Sequence, residues 1–329
     1  MSVIVSLVIP TLNEEKYIEK CINSIINMDY PKSKIEVLFI DGMSNDRTRE
    51  LIDKYSKEYK FIQLIDNPEK IVPVAMNKGI KSATGKYIMR LDAHSEYPTN
   101  YISKLIYWKE KLNADNVGAV CESDVVNKNK VSNSIAKVLK NKFGVGNSLF
   151  RVGVDKPMEV DTVPFGLYDR EIFEKIGYYD ERLERNQDIE LNKRLLNNGG
   201  KIYLVPDVKF KYYARDNFKS LWKNNYSNGK WNILTTMYTK DLRSLSIRHF
   251  IPLIFVLSLL IPIVLSILNK NFILLALISF VSYNLLILGV SFKINDKTSS
   301  VINLVKSFYT LHISYGIGSI VGIFKSIFK

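Results

Sequence analysis

Asp92 and His94 are the residues whose types and spacing point most directly to chemistry; they stand two positions apart, just after the apolar run Tyr87–Leu91. Side chains at i and i+2 of an extended segment point the same way, so this carboxylate and imidazole can converge on one ion. Such a pair suits a divalent metal carrying diphosphate oxygens. The stretch Tyr87–His94 alone also admits a plainer reading, with Asp92 capping the next turn and His94 on the surface. Two more polar clusters follow apolar runs in the same way. Thr11, Asn13 and Glu14 come after Val3–Ile9, and Asp41, Ser44 and Asp46 come after Ile35–Ile40. One cluster can arise by chance; three at successive strand ends point to a nucleotide site.

The elements that must position these groups are legible from periodicity. Strands are predicted at Val3–Ile9, Ile35–Ile40, Phe61–Ile65 and Tyr87–Leu91, with helices at Glu15–Met28, Arg49–Tyr59 and Val72–Ser82 between them. Pro73 fits the first turn of the third helix. This alternation implies an α/β fold with a doubly wound parallel sheet. Beyond residue 100 the pattern is mixed. Strands are expected at Val117–Cys121, Val160–Val163 and Lys201–Val205, and helices at Asp169–Ile176 and Asp188–Asn198, the latter stopped by Gly199-Gly200. Asn127–Asn133 and Gly144–Pro157 lack periodicity and read as loops. From the residues alone, Asp188 is a helix N-cap or first-turn acid, and Gly166 an ordinary turn glycine.

Composition limits the function classes. The chain has 329 residues, 47% hydrophobic and 24% charged, a mixture that suggests a soluble part joined to an apolar part. Met1–Pro10 has no basic n-region or cleavage site and reads as a first strand rather than a signal peptide. Cys21 and Cys121 fall inside apolar patterns and read as reduced core thiols in a cytosolic setting. The net charge of +13 would suit nucleic acid or an anionic membrane surface. With no zinc spacing or aromatic–basic RNA signature, the membrane is the reading that stands.

The apolar part comes last. Nine Lys and Arg residues between Lys209 and Arg248, Arg243 among them, face only Asp216 and Asp241, with Trp222, Tyr226 and Trp231 interleaved. Phe250–Leu268 and Phe272–Phe292 carry no charge, and at ~1.5 Å per residue each can cross a ~30 Å hydrocarbon core. Basic and aromatic residues just before a span suit a cytoplasmic interface. Ser307–Phe324 is a third uncharged segment, a span or an interfacial helix, in which Gly318-Ser-Ile-Val-Gly322 would allow close helix packing.

Taken in order, Val8-Ile-Pro-Thr-Leu-Asn-Glu14, Ile40-Asp-Gly-Met-Ser-Asn-Asp-Arg-Thr48, Ala75-Met-Asn-Lys-Gly-Ile80, Leu91-Asp-Ala-His94, Phe165-Gly-Leu-Tyr168 and Asn186-Gln-Asp188 make the chain resemble a family 2 glycosyltransferase. That family has the GT-A fold, a Rossmann-like architecture of nucleotide-diphospho-sugar transferases, and the likeness within it is to bacterial succinoglycan and exopolysaccharide glucosyltransferases. The resemblance implies that Pro10, Thr11, Asn13 and Glu14 hold the nucleoside and that Asp41 hydrogen-bonds the uracil or ribose. Asp92 and His94 take the place of the family's Asp-X-Asp motif, which binds the nucleotide and a Mg or Mn ion. An imidazole in place of the last carboxylate tilts the expected metal toward Mn. Asp188 takes the place of the family's catalytic Asp, the base of an inverting displacement. Gln187 stands where a Glu is usual, and Gly166 would let the backbone approach the donor sugar. Lys230-Trp231 keep the cation–aromatic end of a motif of processive synthases, with two uses open: the diphosphate and acceptor path, or an interfacial anchor.

The expected protein therefore has a GT-A domain over 1–235, a basic interface over 209–248 and a membrane domain over 249–329. It would sit in the inner membrane with the catalytic domain on the cytoplasmic side. There it would move a sugar, glucose by the resemblance, from a UDP-sugar to a polyprenyl-diphosphate-linked saccharide in exopolysaccharide or capsule synthesis, with no nucleic-acid partner. A processive synthase and a non-catalytic nucleotide-sugar-binding scaffold of an assembly complex remain open as alternatives.

Overall fold

Across residues 2–240 and 246–327, which the computed structural model describes, the chain first alternates strand and helix and ends in long helices. Asp241 and Arg243 of the basic segment lie outside the described residues. By its internal contacts the chain divides into two units, Met1–Glu122 with Val152–Tyr212, and Ser123–Arg151 with Tyr213–Lys329.

In the first unit, β1 (Val5–Thr11), β2 (Ile35–Asp41), β3 (Ile62–Asp66) and β4 (Tyr87–Arg90) alternate with α1 (Ile18–Ile26), α2 (Thr48–Glu58) and α3 (Val72–Ser82). β2 is buried throughout and β1 at every position but Pro10, which is why both read as unbroken apolar runs. The first strands and helices thus form close to their expected positions. After them come β5 (Ser95–Glu96), α4 (Tyr101–Leu112), β6 (Asn116–Asp124), β7 (Met158–Glu159), β8 (Leu167–Asp169), α8 (Arg170–Ile176), α9 (Gln187–Asn197) and β9 (Ile202–Tyr213). In chain order between β6 and β7, but in the second unit apart from Val152, come α5 (Lys130–Leu139), α6 (Lys142–Val145) and α7 (Leu149–Val152).

The sheet runs β3-β2-β1-β4-β8-β6-β9-β5, with β7 also on β9. β3, β2, β1 and β4 are mutually parallel. β8 is antiparallel to β4 and β6, and β5 and β7 are antiparallel to β9. The expected parallel sheet is thus realised in its first four strands, and the sheet as a whole is mixed. Thr11 pairs with Asp41 and Asp41 with Asp66, so three strand ends stand level at the carboxyl edge, where open α/β sheets bind ligands.

Three local expectations are corrected. Val160–Val163 is not a strand: Asn192 Nδ2 donates to Thr162 Oγ1 at 2.8 Å and to the Val163 carbonyl at 3.3 Å, and buried Val163 fills the space beside Gly118. Two valines flanking Asp161 and Thr162 do not by themselves say whether the segment joins a ladder. β9 extends well beyond Lys201–Val205, with Lys209 and Lys211 exposed and Val208 and Phe210 buried. The basic segment therefore begins as a half-buried strand. The loops expected at 127–133 and 144–157 hold the start of α5, the end of the short α6 and the whole of α7. α5 is nucleated by a capping box in which Asn129 Oδ1 accepts from the Val131 and Ser132 amides.

In the second unit, α10 (Phe218–Thr239) and α13 (Val301–Ile327) pack backbone against backbone. A Cβ at Gly229 would run into the Tyr315 carbonyl, one at Gly318 into the Tyr226 carbonyl, and one at Gly322 into the Lys230 carbonyl. Ser319 Oγ donates to the Gly229 carbonyl at 3.3 Å in the same seam. This is the close packing that the Gly318–Gly322 spacing led us to expect. α11 (Ile251–Leu265) and α12 (Ile273–Ile294) are preceded by short 3-10 turns, which extend the apolar stretches to Ile247–Leu265 and Lys270–Ile294. Among the described residues these two are long and apolar enough to cross a membrane. Ser307–Phe324 is the interior of α13, with Ser307, Ser314 and Ser319 buried.

Gly318→Val forces a branched side chain against the Tyr226 carbonyl. It is expected to lower stability by about 1–3 kcal/mol, read as a lower Tm in detergent. Gly289→Ala, at a helical position with nothing within 4 Å of an added Cβ, should leave Tm unchanged or slightly raised.

Candidate active site

The loop after β1 is stitched to the loop after β2. Asn13 adopts the left-handed region at φ 55°, which Asn tolerates. From there its amide donates to Ser44 Oγ at 2.8 Å, and its Oδ1 accepts from the Asn45 amide at 3.0 Å. The Glu14 amide donates to Thr48 Oγ1 at 2.7 Å, and the Glu15 amide to Asp46 Oδ2 at 3.2 Å. Burial alone would raise the Asp46 pKa, but hydrogen bonds from Thr48 and Glu15 hold it below the usual range. Thr11 is buried, its hydroxyl turned back to the Ile9 carbonyl, and Pro10 is the half-buried residue of β1.

Asp41 lies at the centre of this edge with no exposed side-chain surface. Oδ1 accepts from Ser44 Oγ at 2.6 Å; Oδ2 accepts from the Ser44 amide at 2.9 Å and from Arg49 Nη1 at 2.8 Å. Arg49 also donates through Nη2 to Asp66 Oδ1 at 2.7 Å, bridging the ends of β2 and β3. Neither Arg49 nor Asp66 was singled out from the sequence. The signal available was the four-residue run Asp46-Arg-Thr-Arg49 across a helix start, which does not say which arginine turns inward.

Asp92, His94 and Glu14 come together. His94 Nδ1 is 2.9 Å from Glu14 Oε1 and 3.2 Å from Asp92 Oδ1, and the ring makes T-shaped contacts with Tyr17 at 6.1 Å and Tyr212 at 5.0 Å. Burial pulls the imidazole pKa down, yet Asp92, Tyr212 and Glu14 outweigh it and hold it well above its ordinary value. Two carboxylates this close need a positive partner, and the imidazolium is one the chain itself supplies. His94 Nε2 is buried without a hydrogen-bond partner. Tyr97 fixes the turn that presents Asp92, its oxygen accepting from the Asp92 amide at 2.7 Å.

Asp188 sits in the first turn of α9, after Asn186 in the left-handed region, and its Oδ1 accepts from the Ile189 amide at 2.9 Å. The helix-terminus reading of this residue is therefore met geometrically, which leaves the other carboxylate oxygen to further partners. One asparagine anchors its helix, and a second anchors Tyr179. One turn on, Asn192 Oδ1 accepts from Asn116 Nδ2 at 2.9 Å and from Tyr168 Oη at 2.7 Å, tying α9 to β6 and β8. Asn77 of α3 brackets Tyr179, accepting from its amide and donating to its carbonyl, both at 2.9 Å. Gln187 is buried, with Oε1 lacking a partner. At Gly166 the space a side chain would need is filled by Asn116, so packing alone requires glycine there. Lys230 and Trp231 belong to α10 in the second unit, where buried Trp231 stacks on Tyr238 at 6.4 Å.

A mixed sheet whose parallel half ends in polar clusters, with an Asp-X-His segment after β4, defines the class as GT-A-type nucleotide-sugar transferases. The profile of glycosyl transferase family 2 matches residues 6–177, and the chain belongs to that family. It is 31% identical over 230 residues to the dolichyl N-acetyl-alpha-D-glucosaminyl phosphate 3-beta-D-2,3-diacetamido-2,3-dideoxy-beta-D-glucuronosyltransferase of Methanococcus voltae, covering 68% of this chain and 71% of that one. It is 30% identical over 226 residues to the succinoglycan biosynthesis protein ExoA of Rhizobium meliloti, covering 68% of this chain and 67% of that one. The fold is shared with the mannosyltransferase PcManGT of Pyrobaculum calidifontis, solved in complex with GDP-Man and Mn2+. The TM-score is 0.60 at 15% identity, over 99% of this chain and 88% of that one. The protein is thus a glycosyltransferase that takes its sugar from a nucleotide-sugar.

Arg49→Ala leaves the buried Asp41 carboxylate without its cation. The expected cost is roughly 3 kcal/mol, measured by denaturant unfolding, with weaker nucleotide binding measured by calorimetry.

Proposed function

We propose that this glycosyltransferase is a membrane-anchored, inverting enzyme that moves a hexosyl unit from a UDP-sugar to a saccharide on a polyprenyl-diphosphate carrier. The observation that carries the reading is the gathering of Glu14, Asp92 and His94 at the sheet edge, in the same unit as Asp188 on α9. Pro10, Thr11 and Asn13 would line the nucleoside pocket, and the buried Asp41 would reach the nucleotide only if Ser44 or Arg49 turned away from it. In the reaction the acceptor oxygen bonds to the anomeric carbon, the bond from that carbon to the diphosphate breaks, and UDP leaves with the electron pair. The acceptor's proton passes to the Asp188 carboxylate.

A divalent cation fits the residues present. Asp92 supplies a carboxylate and His94 an imidazole; the Asp92 carboxylate lies on Nδ1 and the partnerless Nε2 faces the other edge of the ring, so His94 would join the ion only by turning and giving up a proton. Among the described residues no group of three or more His, Cys, Asp or Glu side chains is set to hold a metal, so donor phosphates would complete the shell, as they often do for Mg and Mn. Bound there, the ion would neutralise the leaving diphosphate.

The membrane part of the reading rests on the two apolar helices and on the Lys219, Lys223 and Lys230 positions of α10, interleaved with Trp222 and Tyr226. A lipid-linked acceptor is supported by the Methanococcus voltae relative, which is named for transfer to a dolichyl-linked sugar. Glucose as the sugar, exopolysaccharide or capsule synthesis as the setting and the cytoplasmic side of the inner membrane as the place follow from the succinoglycan-type resemblance and the basic segment.

The test is UDP release from a panel of UDP-sugars by the detergent-solubilised protein, with lipid extract as the acceptor source. Asp188→Ala should bind UDP as the parent does yet lose transfer by about 10²–10⁴-fold. Tight UDP binding by the parent with no turnover on any donor would make it a non-catalytic binder. Chelation with EDTA should abolish transfer, and Mn should restore it more fully than Mg; undiminished transfer in EDTA removes the metal from the reading.

A further inference from the structure

Arg90 ends β4, two residues before Asp92, and none of the chemistry above uses it. Its guanidinium lies over the Phe165 ring, with Cζ 5.8 Å from the ring centre. Nε and Nη1 are both buried and have no hydrogen-bond partner. Leaving buried donors unmade is costly, about 1–3 kcal/mol for each, and more for a charged group. The surroundings are held firmly. Phe165 takes the left-handed region at φ 52°, which an aromatic residue adopts only when its neighbours impose it. Its carbonyl accepts from Tyr101 Oη at 3.4 Å, and the next carbonyl, of Gly166, accepts from the Arg90 amide at 3.3 Å. On another side, Asn77 brackets Tyr179, whose pKa burial pushes up to about 12 against the pull of Arg90.

The group keeps its charge in this setting. Burial alone would lower its pKa, but Asp188, then Tyr179 and Asp92, more than offset that and raise it. A fixed, permanently charged guanidinium with two donors unspent, on the strand that leads into Asp92, is suited to an incoming planar or tetrahedral oxyanion.

We propose that Arg90 reads the donor, its Nε and Nη1 taking an oxyanion of the bound sugar nucleotide. This rests on the UDP-sugar reading given above. The oxyanion is either a β-phosphate oxygen or the carboxylate of an acidic sugar, and the two sources separate by experiment.

The dissociation constants of UMP, UDP, UDP-glucose and UDP-glucuronate are measured by calorimetry on the full chain in detergent, for the parent, Arg90→Gln and Arg90→Lys. If the β-phosphate is the anion, Arg90→Gln weakens UDP and both UDP-sugars by about tenfold or more and spares UMP. If the sugar carboxylate is the anion, only UDP-glucuronate weakens. Arg90→Lys, which keeps the charge but not the fork, should show the same pattern with a smaller loss, and it carries the comparison if Arg90→Gln does not fold. Binding of all four by the variants at parental affinity overturns the proposal, as does an equal loss on all four, UMP included. In either case a parent that binds UDP leaves the donor reading standing. A parent that binds none of the four sinks the donor reading, and the proposal falls with it.

Discussion

The carboxyl edge of the sheet depends on one buried anion. Asp41 is cut off from water, and its charge is tolerable because Ser44 and Arg49 occupy both of its oxygens. The consequences spread outward. Ser44, fixed by Asp41, receives the Asn13 amide and so sets the turn after β1. Arg49, fixed by the same carboxylate, reaches Asp66 and sets the end of β3. The loops that would enclose a nucleotide are therefore positioned by one electrostatic arrangement rather than by their own propensities, which are weak in such Asn- and Ser-rich stretches. Without it, three strand ends would still stand level, but the loops beyond them would have no common reference.

A second arrangement governs the other side of the site. Asn192 and Asn77 are neutral amides with their hydrogen bonds made to strands and to backbone, and between them they locate α9 and Tyr179. Buried side-chain amides of this kind contribute little net energy but fix geometry strongly, because any displacement leaves several polar groups unpaired at once. Asp188 inherits its place from the first of them.

The sequence revealed these features unevenly, for physical reasons. β2 and the helix from Val72 to Ser82 could be read nearly to the residue, because a buried strand and an amphipathic helix leave unambiguous periods. The antiparallel half of the sheet was not foreseen: β5, β7 and β8 are two or three residues long, too short to carry a period. β9 was truncated in the sequence reading because its exposed lysines resemble a charged surface segment until the alternation with Val208 and Phe210 is seen in place. For the candidate site, Asp92 with His94 stood out by type and spacing, and Glu14 only as part of the cluster with Thr11 and Asn13. Arg49, Arg90, Asn77 and Asn192 did not, since their importance lies in which way each side chain turns, and a single sequence does not record direction.

The glycine contacts between α10 and α13 have a consequence for how the chain can be recombined. Where backbone touches backbone, neither helix offers a side-chain surface that a different partner could fill, so the two behave as a matched pair although a long stretch of sequence separates them. Helices that meet through leucines can be exchanged between relatives and repacked; these can be exchanged only together. A chimera that grafts the terminal helices of another family member at the start of α11 would bring in a foreign α13 and leave the native α10 facing side chains where it needs bare carbonyls. A junction before Asn217, which caps α10, keeps that pair together, whereas one at the first apolar helix, where hydropathy alone would place it, splits it.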